Sequence, residues 1–193
     1  MSKPILSILI PAIPERANML MVLLEKLYTQ LEEIPITNDV EILVFMDNKV
    51  RSIGLKREGL KNLATGKYFC FLDDDDDITE DYLYELWSKC KEEDVDVICF
   101  DSMADVDGVK SHIKVSIKNQ NEQFNSDGDT NRKPCHVNCW NTKKFKKYHF
   151  SDSNYGEDFY FAEECYPHIV SSYKIDKILH NYIFRTEISQ ADN

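Results

Sequence analysis

Five consecutive aspartates occupy residues 73–77, directly after an apolar segment, and carboxylates at this density suit hard metal chemistry. Crowded carboxylates repel one another, and either raised pKa values or a divalent cation with oxygen ligands relieves that repulsion. We therefore predict that the run binds Mn²⁺ or Mg²⁺, which would in turn bind the phosphates of an anionic substrate. A solvated acidic loop is the alternative, and the apolar residues 68–72 directly before the run argue against it.

A second acidic pair, Glu157 and Asp158, follows Gly156 where an aromatic-rich helical pattern begins and continues through Tyr166. A carboxylate at a helix N-terminus is stabilised as the anion, so it is ready to act as a general base at neutral pH. Adjacent helical residues point in different directions, and we assign the contact with a reacting hydroxyl to Asp158. Simple helix capping is the alternative for this pair.

Two more polar residues are expected near the aspartate run. Asp47 ends a strand-like segment, where it either accepts hydrogen bonds from a nucleobase or ribose or forms a turn with Asn48. Arg57 precedes the strand that leads into the aspartates, and from there it would reach a phosphate. Taken alone, an arginine at such a place is more often a surface residue.

These side chains need a sheet whose strands end together, and the first half of the chain alternates strand and helix patterns. Strands are predicted over residues 5–11, 40–46, 68–72 and 95–100. Helices are predicted over residues 18–32 and 53–64, and from Thr79 to Cys90 or Lys91. Ligands of open parallel sheets bind beyond the carboxyl ends of the strands, where the aspartates fall. We predict an α/β fold with helices on both faces of a mixed, mainly parallel sheet.

The second half shows weaker patterns: a strand over residues 109–117 and a polar stretch over residues 118–133 that we expect to be a mobile loop. With 193 residues, of which 42% are hydrophobic, the chain is long enough for one substantial core and short for two. We predict a single domain.

The formal net charge of -11 argues against a nucleic-acid binder, because such proteins need a basic face to displace counterions. A stretch over residues 143–147, with Arg132 and Lys133 upstream, is positively charged although the chain as a whole is negative. We interpret it mainly as a solvated surface. The chain contains no apolar segment long enough to span a bilayer, since the N-terminal one covers only residues 5–13.

The six cysteines fit free thiols in a reducing compartment, which predicts a cytoplasmic location. Cys135, His136 and Cys139 invite a zinc interpretation. A structural zinc site needs four ligands, however, and no second pair lies at a suitable spacing.

Taken together, the segments resemble GT-A glycosyltransferases of the family 2 type over nearly the whole chain, and in particular compact viral and bacteriophage-type members. Residues 6–11 resemble the first strand, Pro14-Glu15-Arg16 a variant of the donor-binding turn, and Asp47-Asn48 the acidic position after the second strand. The most specific part is an arginine, a helix, an Ala-x-Gly-x-Tyr segment at residues 64–68 and a DxD motif at a strand end. Glu58 departs from the pattern, and the aspartate run leaves the register open between Asp73/Asp75 and Asp74/Asp76.

The resemblance implies a GT-A, Rossmann-like fold and a metal-dependent, inverting transfer of sugar from a nucleotide-diphosphate sugar, with UDP favoured, to a hydroxyl of a glycan or glycoprotein. Residues 1–101 would form the nucleotide-sugar-binding half and residues 102–193 the acceptor-binding and catalytic-base half. It implies Asp158 as base beside Glu157, and Asp75, Asp73 and His180 as metal ligands. The implied nucleotide-sugar contacts are Pro11, Ala12, Ile13, Glu15, Arg16, Asp47, Arg57, Asp73 and Asp74. The implied acceptor contacts are His136, Asn138 and Trp140.

Three other functions stay open at this point. A sugar-1-phosphate nucleotidyltransferase would use a similar sheet and metal, but it would be expected to carry a glycine-rich loop where residues 12–16 contain no glycine. A glycosyltransferase acting on modified DNA bases is sustained by the lysine-rich stretch and opposed by the net charge. A non-catalytic divalent-cation-binding module explains the aspartates but gives no role to Asp47, Glu157 and Asp158. The sequence does not indicate an oligomeric state.

Overall fold

The computed structural model describes residues 3–119 and 128–185, together with the backbone of residues 123–124. Its strands are β1 (Leu6–Ala12), β2 (Val40–Met46), β3 (Tyr68–Phe71), β4 (Asp77–Ile78), β5 (Val97–Val106), β6 (Val109–Val115), β7 (Gln123–Phe124), β8 (Thr130–Arg132), β9 (Cys139–Asn141) and β10 (Ser172–Phe184). Its α-helices are α1 (Ala17–Glu32), α2 (Ile53–Leu63), α3 (Tyr82–Glu92), α4 (Thr142–Phe145) and α5 (Glu157–Cys165). Short 3-10 helices cover Pro14–Arg16, Thr37–Asp39 and Tyr166–His168.

The strands form one mixed sheet in the order β2-β1-β3-β9-β5-β6-β8-β7, with β10 on the other side of β5 and β4 paired to β10. Strands β2, β1 and β3 are parallel, with Leu6 opposite Val40 on one side and Tyr68 on the other. Their carboxyl ends therefore meet at one edge. This register brings Asp47 and the aspartate run to the same side of the sheet, as predicted.

The core has two layers because successive side chains of a strand point to opposite faces. Ile8 and Ile10 of β1 pack with α1 and α3 through a cluster that includes Leu23 and Leu86. Leu9 belongs to the other layer, where β3 packs with the aromatic residues that precede and form α5. The predicted helices on both faces of an α/β sheet are confirmed.

Several predicted element boundaries were wrong in the second half, whereas the antiparallel pairs found there make the sheet mixed, as predicted. Strands β6 and β9 pair antiparallel with β5, and β9 also pairs antiparallel with β3. Residues 135–138 form a turn in which the Asn138 N–H donates to the Cys135 carbonyl, and β9 begins at Cys139. Part of the expected loop over residues 118–133 is ordered as β8, which pairs with β6; residues 120–122 and 125–127 lie outside the described part.

The 13-residue strand β10 has no counterpart in the sequence prediction, and it runs parallel to β5 from Ser172 to Phe184. The predicted division of the chain after residue 101 stays a prediction, and it falls inside β5. Helix α3 begins at Tyr82 rather than at Thr79, whose hydroxyl donates to the Asp81 carboxylate.

All six cysteines are buried free thiols. Across residues 3–119 and 128–185, the structure contains no helix with the length and apolar character needed to cross a membrane.

Candidate active site

Residues 73–76 of the aspartate run form the loop after β3, Asp77 begins β4, and the carboxylates of the loop alternate between open and buried. Asp74 accepts the Ile13 N–H at 2.8 Å, and Asp76 accepts the Asp73 N–H at 2.9 Å. Both are buried by these contacts, whereas the side chains of Asp73 and Asp75 keep 25% and 28% of their surface exposed. The alternation favours the Asp73/Asp75 register for ligand contact.

Three clefts meet at Asp73. We name them the basic cleft, the large cleft and the small cleft. Their volumes are 290 Å³, 680 Å³ and 230 Å³, respectively. The basic cleft is lined by Arg16, Lys49, Arg51 and Lys56 together with the predicted residues Pro11, Ala12, Ile13 and Asp74. The large cleft is lined by Arg57, His136, Glu157 and Asp158 among others. Asp75 lines the small cleft with Arg16 and Tyr182.

The basic cleft carries four cationic side chains, of which sequence reasoning had identified only Arg16. Lys56 is buried and donates to the Ala12 carbonyl at 2.8 Å, and its ammonium lies 2.7 Å from the Asp47 carboxylate. The hydrogen bond from Lys56 lowers the pKa of Asp47. The carboxylate of Asp47 also accepts the backbone N–H groups of Lys49 and Arg51, so Asp47 closes the turn after β2.

Glu15 does not line this cleft, but its half-exposed carboxylate pairs at 3.2 Å with Lys49, which does. The missed cations follow β2 within ten residues. Three cationic residues shortly after the end of a predicted strand were the signal in the sequence that could have identified this cleft.

A series of ion pairs lies along the large cleft, and Arg57 is its most buried member. The Arg57 guanidinium donates to Glu157 at 3.0 Å and to Asp73 at 2.7 Å, and it lies over the Phe71 ring. Its Nη1 atom is buried and has no hydrogen-bond partner among the described residues. Arg57 is therefore no surface arginine, and it retains a donor for an anionic ligand.

His136 connects Asp73, which Arg57 also binds, to Asp158. Its Nδ1 lies 2.8 Å from Asp158 and its Nε2 lies 3.7 Å from Asp73. Burial and Arg57 oppose its protonation, but the two carboxylates prevail and raise the pKa of His136 to about 10. Burial likewise works against ionisation of Asp158, yet His136 holds the pKa of Asp158 well below its usual range.

The two members of the acidic pair at the start of α5 differ in access. The Glu157 side chain is 4% exposed and bound to Arg57, whereas that of Asp158 is 22% exposed in the large cleft. Asp158 is thus an ionised carboxylate open to a ligand, and Glu157 holds Arg57. The geometry favours the sequence assignment of Asp158 over Glu157 for contact with a reacting hydroxyl.

Asp75 has the electrostatics of a cation site. Burial, with help from Asp73, Asp76 and Asp74, raises the pKa of Asp75 to about 7, although Arg16 lies 2.8 Å away. No group of three or more His, Cys, Asp or Glu side chains within the described residues is arranged to hold a metal ion. Mg²⁺ is commonly held by one or two carboxylates plus substrate phosphates, so the donor set at Asp73 and Asp75 fits such a cation.

Three further predicted site residues are buried. His180 lines the large cleft, with Nε2 2.9 Å from the Asp76 carboxylate and Nδ1 3.0 Å from the Ser102 hydroxyl, and its role as a metal ligand stays a prediction. Asn138 is buried and accepts the Cys135 N–H, and the Trp140 indole donates to the Cys135 carbonyl. Both stabilise the turn before β9 from inside the core and neither lines one of the three clefts, so the structure gives no support to the predicted acceptor contacts of Asn138 and Trp140.

The loop that precedes α5 is fixed by the N-terminus of α2. The Ser52 hydroxyl donates to Asp152 at 2.7 Å, the Ile53 N–H to Asn154 at 3.0 Å and the Gly54 N–H to the Ser153 carbonyl at 3.0 Å. These contacts satisfy helix-terminal N–H groups that lack partners within α2. They also position the start of α5 and hence Asp158.

We expect Gly54→Ala to destabilise the protein by about 1–3 kcal/mol, the range for inserting atoms into a packed site. An added Cβ would lie 1.9 Å from the Ser151 carbonyl oxygen, so the loop would have to move. Urea unfolding measures the loss. Gly59→Ala in the same helix is the control, because its Cβ would meet only the Phe45 ring at 3.2 Å. Equal stability of the two variants would contradict this loop packing.

The fold is similar to that of GT-A glycosyltransferases. S. aureus TarS 1–349 in complex with UDP-GlcNAc superposes with a TM-score of 0.62 at 14% identity, covering 93% of this chain and 58% of that one. The same fragment in complex with UDP gives 0.61 at 14% identity, covering 94% and 61%. The chain thus spans about three fifths of the length of these structures. A search of curated proteins found no match.

The family model described as glycosyl transferase family 2 matches residues 39–157, which is more than half of the chain, and the chain belongs to that family.

Proposed function

We propose that the chain transfers a sugar from a UDP-sugar to a hydroxyl group of a glycan or glycoprotein, with inversion at the anomeric carbon and with Mn²⁺ or Mg²⁺ as cofactor. The observation that carries the proposal is the position of Asp73, which joins a basic cleft to a large cleft that holds the ionised Asp158. A donor and an acceptor bound in the two clefts would meet at this residue.

The basic cleft suits the nucleotide diphosphate. Four cations and the end of β1 at residues 11–13 surround it, and the TarS structures with UDP-GlcNAc and UDP support this donor for the same fold. Arg57, whose Nη1 has no partner among the described residues, faces the large cleft at the junction, where it can donate to a phosphate oxygen. We assign Asp73 and Asp75 to the divalent cation.

When bound, the cation stabilises the negative charge that develops on the departing nucleotide. The other elements of catalysis come from side chains of the protein. Asp158 accepts the proton of the acceptor hydroxyl, whose oxygen forms a bond to the anomeric carbon from the face opposite the leaving group. The bond from that carbon to the diphosphate breaks, and UDP leaves with the electron pair. His136 keeps Asp158 ionised and oriented, and Glu157 holds Arg57.

The lysine-rich stretch gives little support to a DNA acceptor, because several of its cations are used within the protein. Lys144 pairs with Asp96 at 2.6 Å, Lys133 pairs with Glu163 at 2.7 Å, and Lys146 donates to the Ala64 carbonyl at 2.7 Å.

A cytoplasmic location is part of the proposal and is supported by the six buried thiols.

A thermal-shift screen of UDP, GDP, CDP and dTDP sugars with and without Mn²⁺ tests donor binding, since a ligand of the native state raises the melting temperature. We expect a Mn²⁺-dependent shift with the UDP sugars that Asp75→Ala abolishes. Asp94→Ala is the control, because it removes the same charge from a side chain that is 88% exposed. A shift with metal alone and none with any nucleotide would contradict the transferase and favour a cation-binding module.

A further inference from the structure

Three exposed aromatic side chains line the mouth of the large cleft beside Asp158. Tyr155 is 91% exposed, Phe159 54% and Tyr160 65%. Large apolar rings grouped in water at the rim of a cleft contribute little to the core. Such groups mark contact with a ligand or partner.

The local structure presents these rings outward. Gly156 has a φ of 76°, a left-handed conformation that turns the chain into α5. Glu157 and Phe161, four residues apart on the inner face of α5, are buried, which leaves Phe159 and Tyr160 on the outer side. The Phe159 and Tyr160 rings are in edge contact, with centroids 5.6 Å apart.

The backbone of Tyr155 is also held in place. Its N–H donates to the Ser153 hydroxyl at 3.1 Å, and the same hydroxyl donates to the Tyr155 carbonyl at 2.9 Å. Because Ser153 belongs to the loop that is hydrogen-bonded to the N-terminus of α2, the aromatic group and Asp158 lie in one continuous segment anchored on α2. A ligand resting on the rings is thereby placed at the carboxylate.

We propose that Tyr155, Phe159 and Tyr160 form a platform for the pyranose ring of a neutral sugar acceptor, an inference that rests on the proposed transferase function. One face of a pyranose ring presents C–H groups, which pack on the electron-rich face of an aromatic ring while the hydroxyl groups stay free. A sugar lying on the platform would present a hydroxyl to Asp158.

The charge of the cleft favours a neutral acceptor over a phosphorylated one. Four carboxylates line the cleft, those of Asp73, Asp76, Glu157 and Asp158. The basic side chains that line it are Arg57, Arg132, His136 and His180. Even with both histidines protonated, these described residues carry no excess of positive charge. The chain as a whole has a formal net charge of -11, which adds to the repulsion of an anion.

The test measures transfer from the UDP-sugar to the methyl glycosides of glucose, galactose, mannose and N-acetylglucosamine, with glycerol phosphate as the anionic comparison. We expect Phe159→Ala and Tyr160→Ala to raise the acceptor KM about tenfold, the size of a lost aromatic contact, with UDP affinity unchanged. Phe159→Tyr should restore the acceptor KM. Tyr28→Ala on α1, which removes another exposed ring, is the matched control and should leave it unchanged.

An unchanged KM in both alanine variants, or preference for glycerol phosphate over every methyl glycoside, would overturn the platform. Saturation-transfer NMR of the methyl glycosides reports their contact with the aromatic rings without any donor. If the wild-type protein fails to bind UDP but shows this contact, which Phe159→Ala removes, the proposed function fails and the sugar platform stands. If it binds UDP but shows no glycoside contact, the platform fails and the proposed function stands.

Discussion

Asp158→Asn is expected to lower the rate of sugar transfer by about 10²- to 10⁴-fold, the range for loss of a general base. Asparagine has nearly the same shape and can still accept from His136, but it cannot take the proton of the acceptor hydroxyl. UDP affinity and melting temperature should stay near the wild-type values, because the basic cleft is untouched. Initial rates of UDP release, measured beside a UDP titration, separate the chemical step from binding.

Glu164→Gln is the matched control for Asp158→Asn, since it removes one negative charge from the exposed side of the same helix. It should transfer sugar at the wild-type rate. An Asp158→Asn protein that is folded and transfers at full rate would show that another group accepts the proton.

Arg57→Met should destabilise the protein by about 3–5 kcal/mol, which is the usual cost of removing one partner from a buried ion pair. Arg57 is 2% exposed and pairs with both Glu157 and Asp73, so its loss leaves two carboxylates without their cation. Methionine fills much of the same volume, which limits the contribution of a cavity. The midpoint of urea unfolding at constant slope measures the change.

A second variant distinguishes lost charge pairing from lost packing. Glu157→Gln together with Arg57→Met removes one of the two carboxylates that Arg57→Met leaves without its cation, and it should recover part of the stability. Equal instability of the single and double variants would mean that packing against Phe71, rather than the ion pairs, accounts for the effect. Arg51→Met is the control, because its side chain is half exposed and its pair with Asp47 lies at the surface.

The first half of the fold could be predicted because its strands and helices are continuous in sequence and differ clearly in hydrophobic period. The aspartate run follows the buried strand β3 directly, so its place at the sheet edge follows from local pattern alone. Asp158 was identified for a similar reason, since a glycine and two acidic residues mark the start of a helix. Local signals of this kind need no knowledge of distant contacts.

The remaining features depend on contacts between segments that are far apart in the chain. The pairing of His180 with Asp76 requires β10 to lie beside β5 and β4, a crossover that no local pattern of residues 172–184 indicates. The burial of Arg57 depends on Glu157, one hundred positions later. Trp140 resembles a ligand-binding aromatic in the sequence, yet the packing of Phe145 and Phe161 around it makes it part of the core.

The alternation of buried and exposed carboxylates within the aspartate run also depends on contacts with distant segments. Five identical residues carry no information about register, and it is the partners Ile13, Arg16 and His180 that bury Asp74 and Asp76. Three-dimensional contacts thus select which carboxylates face the clefts.

The most direct test of the proposed function is UDP release from UDP-sugars by the purified chain in the presence of Mn²⁺ and methyl glycosides. The account predicts release of UDP together with a glycosylated product whose anomeric configuration is inverted relative to the donor, and loss of both in Asp158→Asn. A protein that binds UDP but transfers no sugar to any hydroxyl acceptor, or a product with retained configuration, would contradict it.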